Sequence, residues 1–225
     1  NPHYRLENDD WKIRIGAQVD MAFGFGKKFR AAPDVAIEYN FADSYILYAQ
    51  AKGGRLQNDF RRLEAFCPYG LEHLDRKSGL VTSQPDATYE QVNAALGFKA
   101  SPATGLWLNL YAGYQNLKDD LFFHPAGFDE TTEGHYRTLA INQWNTSNIY
   151  AGAEVRYDYK NIFSFVAAGT YRSWDTKDDS QFGVKDYVLT YKPAFEANLH
   201  IDVHPISALL LNLGYRHISR EKVEE

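Results

Sequence analysis

The chain has 225 residues, 44% of them hydrophobic, 24% charged and 15% aromatic, with a formal net charge of −5. That length allows one large domain or two small ones, and the acidic balance, with no basic cluster longer than Lys27-Lys28 or Arg61-Arg62, excludes a partner such as nucleic acid. A helical membrane protein is excluded too, because the longest charge-free stretch, Ala100 to Leu117, contains Pro102, Gly105, Asn109 and Gln115.

The aromatic excess, 16 Tyr and 14 Phe beside one Met, belongs to strands and membrane interfaces rather than to helical bundles. Read in chain order, apolar residues recur at period two and predict strands near 11–24, 34–41, 45–60, 87–99, 106–118, 147–158, 162–174, 188–203 and 208–220. In the fifth, Leu106, Leu108, Leu110, Ala112 and Tyr114 alternate with Trp107, Asn109, Tyr111, Gly113 and Gln115. The sixth sets Ile149, Ala151, Ala153, Val155 and Tyr157 against Asn148, Tyr150, Gly152, Glu154 and Arg156. The eighth sets Phe195, Ala197, Leu199, Ile201 and Val203 against Glu196, Asn198, His200, Asp202 and His204. No linker divides the chain, so residues 1–225 read as a single domain of all-β class.

Many of these strands run to about a dozen residues, roughly twice the mean for soluble domains. At about 3.3 Å per residue and a tilt near 40°, such a strand rises about 30 Å, enough for the roughly 25 Å apolar band of an outer-membrane barrel. The connections alternate between tight turns, at 42–44, 101–105, 159–161 and 204–207, and long polar segments near 61–86, 119–146 and 175–187. Aromatic residues Tyr39, Phe41, Phe98, Tyr157 and Phe163 bracket the tight turns, as an interfacial girdle does. The pattern predicts an antiparallel up-and-down transmembrane β-barrel with its apolar face toward lipid. Its polar face, including Lys12, Arg14, Asp20, Glu38, Lys52, Lys99, Glu154, Arg156, Arg172, Glu196 and Arg216, then lines a lumen in which charges pair. A soluble β-barrel binding protein shares the alternation but has no reason to sort its connections by length.

The hairpins Val35 to Ala51 (VAIEYNFADSYILYAQA), Ala95 to Tyr114 (ALGFKASPATGLWLNLYAGY) and Ala197 to Tyr215 (ANLHIDVHPISALLLNLGY) resemble those of TonB-dependent outer-membrane receptors, particularly Bacteroidetes-type barrels. The likeness is one of strand-turn-strand style over nearly the whole chain. It implies the outer membrane of a Gram-negative bacterium, contact with outer-membrane lipid, a TonB complex as partner, and uptake of a solute such as an iron chelate, cobalamin or a glycan. The family's barrel has 22 strands around a plug, so this chain holds fewer than half of them, and neither the plug domain with its TonB box nor a final strand ending in an aromatic residue is found in it. Nine strands is also an odd number where single-chain bacterial barrels have an even one. The chain is therefore expected to be a portion of a larger barrel, or residues 1–10 supply a further strand. Starting at Asn1 without an apolar signal segment, it is expected to be a processed or trimmed product. The alternative reading is a small plugless barrel with a structural, adhesion or narrow-pore role.

No catalytic residue, cofactor-binding motif or resident cofactor is expected. There is no Gly-x-Ser-x-Gly, Ser164, Ser173 and Ser180 have no base marked by spacing, and the lone Cys67 excludes a cysteine metal cage. A barrel-embedded lipid-modifying enzyme stays open only through residues assembled in space. His200, Asp202 and His204 share one strand face and form the single weak metal candidate, read chiefly as a polar lumen row. The acidic clusters Asp129, Glu130, Glu133 and Asp175, Asp178, Asp179 lack the spacing of a calcium loop and read as solvated tips. If the barrel binds a solute, the long connections carry it, through Arg61, Arg62, Tyr136, Trp144 and Trp174.

Overall fold

A computed structural model describes residues 2–21, 29–42, 44–66, 86–128, 137–160, 162–176, 188–189, 192–206 and 208–220. Ten antiparallel strands follow one another in chain order: β1 (His3–Glu7), β2 (Trp11–Met21), β3 (Phe29–Phe41), β4 (Tyr45–Leu56), β5 (Thr88–Ala103), β6 (Leu106–Phe128), β7 (Arg137–Tyr159), β8 (Phe163–Thr176), β9 (Pro193–Ile206) and β10 (Leu209–Arg220). One short helix, α1 (Phe60–Phe66), follows β4. Each strand pairs with its neighbours in sequence, giving one up-and-down sheet ordered β1 to β10. Among the described residues β1 and β10 do not pair with each other, so the sheet is a curved wall and not a closed cylinder.

The predicted architecture stands, and several boundaries change, with β5 and β9 running on to Ala103 and Ile206, into the predicted turns 101–105 and 204–207. Residues 3–7 form the tenth strand, which the sequence reading named as one resolution of the odd count; the stretch is too short to show a period by itself. The predicted strand 45–60 stops at Leu56, because Asp59 turns the chain into α1 by accepting a hydrogen bond from the Arg62 amide at 2.9 Å. β3 begins five residues before the predicted Asp34, with Pro33 seated opposite Ala17. The predicted strand 188–203 starts only at Pro193, after a helical turn at Val188 and Leu189. The supposed connection 119–146 is mostly strand: β6 and β7 are 23 residues each. A bulge between Leu117 and Asp120 breaks the alternation there, yet the ladder resumes at Asp120 opposite Trp144. Twenty-three residues rise roughly 58 Å at a 40° tilt, so these two strands project far beyond an apolar band of about 25 Å.

All five tight turns lie on one rim and the long connections on the other. Ala42 and Lys160 take left-handed backbone at φ 50°, and Gly105 does so at φ 80°, which lets these turns close in two or three residues. Just above that rim the outward face carries an aromatic row. Trp11 packs against Tyr39 with centroids 4.5 Å apart and planes tilted by 33°, and Tyr39, Phe41, Tyr45 and Phe98 follow at 5.6–6.2 Å. Tyr157 and Phe163 meet in a second group across β7 and β8. Beyond the girdle the same face is apolar and uncovered, with Leu96 68% and Ile149 65% exposed. So large an uncovered apolar face marks a contact surface rather than one left to water.

The opposite face is held by polar struts. Tyr48, Gly97, Tyr111, Gly152 and Thr170 form one in-register row across β4 to β8. Each tyrosine lies flat over the glycine of the next strand and bonds to the strand after it. The Tyr48 hydroxyl crosses Gly97 to donate to Asn109 at 3.0 Å, and the Tyr111 hydroxyl crosses Gly152 to reach Thr170 Oγ1 at 2.6 Å. In the opposite direction, Tyr150 crosses Gly113 to donate to Asn93 at 2.6 Å. Only glycine permits this, since a Cβ at Gly97 or Gly152 would sit within 2.4 Å of the tyrosine ring. Ion pairs complete the face, including Lys99 with Glu38 at 3.3 Å and Arg14 with Asp34 at 3.1 Å.

Candidate functional site

The densest cluster of buried groups lies where the sheet leaves the apolar band on the long-connection side. Register shifts occur at one height on three adjacent strands, between Lys52 and Gly54, Glu90 and Val92, and Leu117 and Asp120. Asp119 takes φ 55° within the last of them. Such bulges bend strands and re-aim side chains. Here they bring together Asn58, Thr88, Asp120, Thr146, Thr176 and Lys192, all buried polar residues from β4, β5, β6, β7, β8 and their connections.

Every one of these groups is satisfied locally. Thr88 Oγ1 donates to the Asp119 carbonyl at 2.9 Å, and Asn58 bonds Thr88 and the Asp86 carbonyl. The Gln143 amide nitrogen bridges the Asp86 and Asp119 carbonyls at 2.7 and 2.8 Å while its oxygen accepts from the Asp86 amide. Arg30 closes the inner side, pairing with Asp119 at 3.0 Å with its guanidinium 4.6 Å from the Tyr89 ring centroid. At the centre Lys192 Nζ meets Asp120 Oδ2 at 2.5 Å and donates to the Leu121 carbonyl at 3.1 Å. Thr146 donates to the same carboxylate oxygen at 2.7 Å. An apolar cluster of Phe122, Val188 and Leu189 adjoins them, with Trp144 and Trp174 packed against it.

Three of the five residues expected to contact a solute meet at this outer end. Trp144 and Trp174 are half-buried in the apolar cluster, and the Trp174 indole donates to the Pro193 carbonyl at 2.9 Å with Lys192 Nζ 5.1 Å from its ring centroid. Arg62 lies half-buried on α1, and its Nη1 is sealed with no hydrogen-bond partner among the described residues. Burial holds its guanidinium below the usual range, against the pull of Asp120 and then Asp59. Arg61 faces solvent on the same helix, and Tyr136 lies outside the described residues. So do Cys67, Asp129, Glu130, Glu133, Asp178 and Asp179, whereas Asp175 pairs in the ladder opposite Ser147.

The metal candidate does not assemble. His200 Nε2 meets Asp202 Oδ2 at 3.1 Å, and Asn212 on β10 bonds both residues. His204 stands two residues further along β9, at the tight-turn end, and among the described residues no three His, Cys, Asp or Glu side chains converge on a cation site. Four residues along a strand span about 13 Å, too far for two imidazoles to share one ion.

Sequence reasoning missed Asp120 and Lys192. They are 72 residues apart, and only the bulged ladder brings them together, so no spacing announces the pair. The phrase Leu117-Lys118-Asp119-Asp120, where the alternation breaks, is the one local trace of the bulge. At the other rim, a cavity of about 660 Å³ opens on the polar face beside Trp107, Glu154, Arg156 and Asp158, with Arg156 and Asp158 paired at 2.7 Å.

No family model matches the chain, and no curated protein is similar to it. Solved structures are similar in fold. The pyoverdine receptor FpvA of Pseudomonas aeruginosa PAO1 superposes with a TM-score of 0.57 at 15% identity, covering 95% of this chain and 29% of its own. The siderophore receptor PirA of the same species gives 0.58 at 14%, covering 94% of this chain and 37% of its own. The alcaligin receptor FauA of Bordetella pertussis gives 0.55 at 14%, covering 96% of this chain and 36% of its own. This chain thus spans about a third of these receptors' length, and its ten strands have the fold of a section of an outer-membrane receptor barrel.

Proposed function

We infer that the chain forms part of the wall of a TonB-dependent receptor in the outer membrane of a Gram-negative bacterium and serves solute uptake rather than catalysis. The observation that carries this reading is the pairing of an uncovered apolar face, girdled by aromatics at the tight-turn rim, with a strutted polar face. Lipid fits the first and a lumen the second. Passage of a solute supports membership of a wider barrel. Eight or so strands leave an interior that side chains fill, and a lumen that needs a plug takes about 22. The solute class is an iron chelate, cobalamin or a glycan, with the TonB complex supplying energy, and the bulged outer end is where the solute arrives.

The test is expression of the full-length gene in a Gram-negative host lacking its own receptors. Localisation in the outer membrane and TonB-dependent growth on one of those solutes would support the reading. A protein without a plug that supports no such growth would sink it, and would favour a small structural or adhesion barrel.

A further inference from the structure

The two tryptophans best suited to hold a solute are already occupied in packing, and one ion pair keeps them so. Lys192 precedes the first residue of β9, and its ammonium crosses to β6, where Asp120 Oδ2 and the Leu121 carbonyl hold it beside the Trp174 ring. The side chains are only 10% and 7% exposed, so each charge depends on the other for its solvation. Asp120 has two further donors, Thr146 to Oδ2 at 2.7 Å and the Leu121 amide to Oδ1 at 3.0 Å. Next to the pair lie Phe122, adjacent to Leu121 on β6, and Val188 and Leu189, just before Lys192. Whatever separates Lys192 from Asp120 therefore also draws Val188 and Leu189 away from Phe122, Trp144 and Trp174.

We propose that the Lys192–Asp120 pair is a releasable pin that fixes the start of β9 on β6, and that its release bares the Trp144 and Trp174 rings at the outer end. Two features mark a pin rather than ordinary packing. The pair joins segments that share no backbone ladder, because β6 and β9 are separated in the sheet by β7 and β8. Breaking it from one side also strands a buried charge, which water then solvates by opening the cluster. The purpose assigned to the pin, exposure of a solute-binding surface, rests on the receptor reading; its existence does not.

The experiment is hydrogen exchange on the full-length protein in detergent without any solute, comparing the parent with Lys192→Met, Asp120→Asn and the double variant. Lys192→Met should speed exchange at Val188 and Leu189 at least tenfold, while the Ala94 and Ala112 amides in mid-sheet stay within twofold. Asp120→Asn, which keeps a partner for Thr146, should move the same amides in the same direction by less, and the double variant should fall back toward the parent. In a Trp11→Phe, Trp107→Phe background, the share of the acrylamide quenching that Trp144→Phe and Trp174→Phe remove should rise with Lys192→Met. Unchanged exchange at Val188 and Leu189, or an equal rise across β5 to β7, would overturn the pin. Failure of solute uptake in the parent would instead count against the receptor reading and leave these exchange rates as they are.

Discussion

Replacing Gly152 by alanine tests the strut architecture directly. The new Cβ would lie 2.4–2.7 Å from three atoms of the Tyr111 phenol, where carbon contacts settle near 3.5–4.0 Å. The ring cannot slide within the row, since the Tyr48 ring already covers Gly97 on the β5 side and Tyr150 meets it edge-on at 6.2 Å. It must swing into the lumen and give up its bond to Thr170 at 2.6 Å. A lost hydrogen bond costs about 1 kcal/mol, a lost aromatic pair about 0.5–1.5 and residual overpacking about 1–3, so the substitution should destabilise by about 2.5–5.5 kcal/mol. Equilibrium urea unfolding in detergent, followed by heat-modifiable gel mobility, measures it. The decisive control is the pair Tyr111→Ala and Tyr111→Ala/Gly152→Ala. With the ring gone the methyl has room, and the second substitution should cost less than about 0.5 kcal/mol, leaving a coupling of about 2–5 kcal/mol. If Gly152→Ala costs the same with and without Tyr111, the glycine is not there to admit the tyrosine.

Other expectations follow from the same structure. Gly169→Ala, whose Cβ would meet Phe195 ring carbons at 3.7 Å and the Glu196 carbonyl at 4.0 Å, both ordinary contacts, should be tolerated within about 0.5 kcal/mol in the same assay. On the outward face Leu96→Arg should cost about 2–4 kcal/mol when the protein is folded into bilayers, whereas Asn198→Lys at an exposed position of the polar face should leave assembly intact; equal costs would mean the faces are assigned wrongly. Asp59→Ala should cost about 1 kcal/mol and raise exchange across α1 alone, through loss of its bond to the Arg62 amide.

The sequence alone determined the class of fold and its two faces, because a strand's side chains alternate strictly and period two can be counted without coordinates. It also sorted tight turns from long connections, which fixed the two rims, and it marked Tyr39, Phe41 and Phe98, whose rings meet in one group, and Tyr157 and Phe163, whose rings meet in another. It placed Trp144, Trp174 and Arg62 at the outer end, though as solute contacts rather than as parts of a packed cluster. Only the tertiary structure decided the rest. A bulge adds one residue and inverts the alternation, so β6 and β7 looked like loop beyond Lys118 although their ladder continues to Phe128. The tyrosine struts skip a strand, and the Lys192–Asp120 pair skips two, so both depend on register between segments that sequence distance does not relate. Periodicity is a property of one strand; a contact across several is a property of how the strands are set against one another.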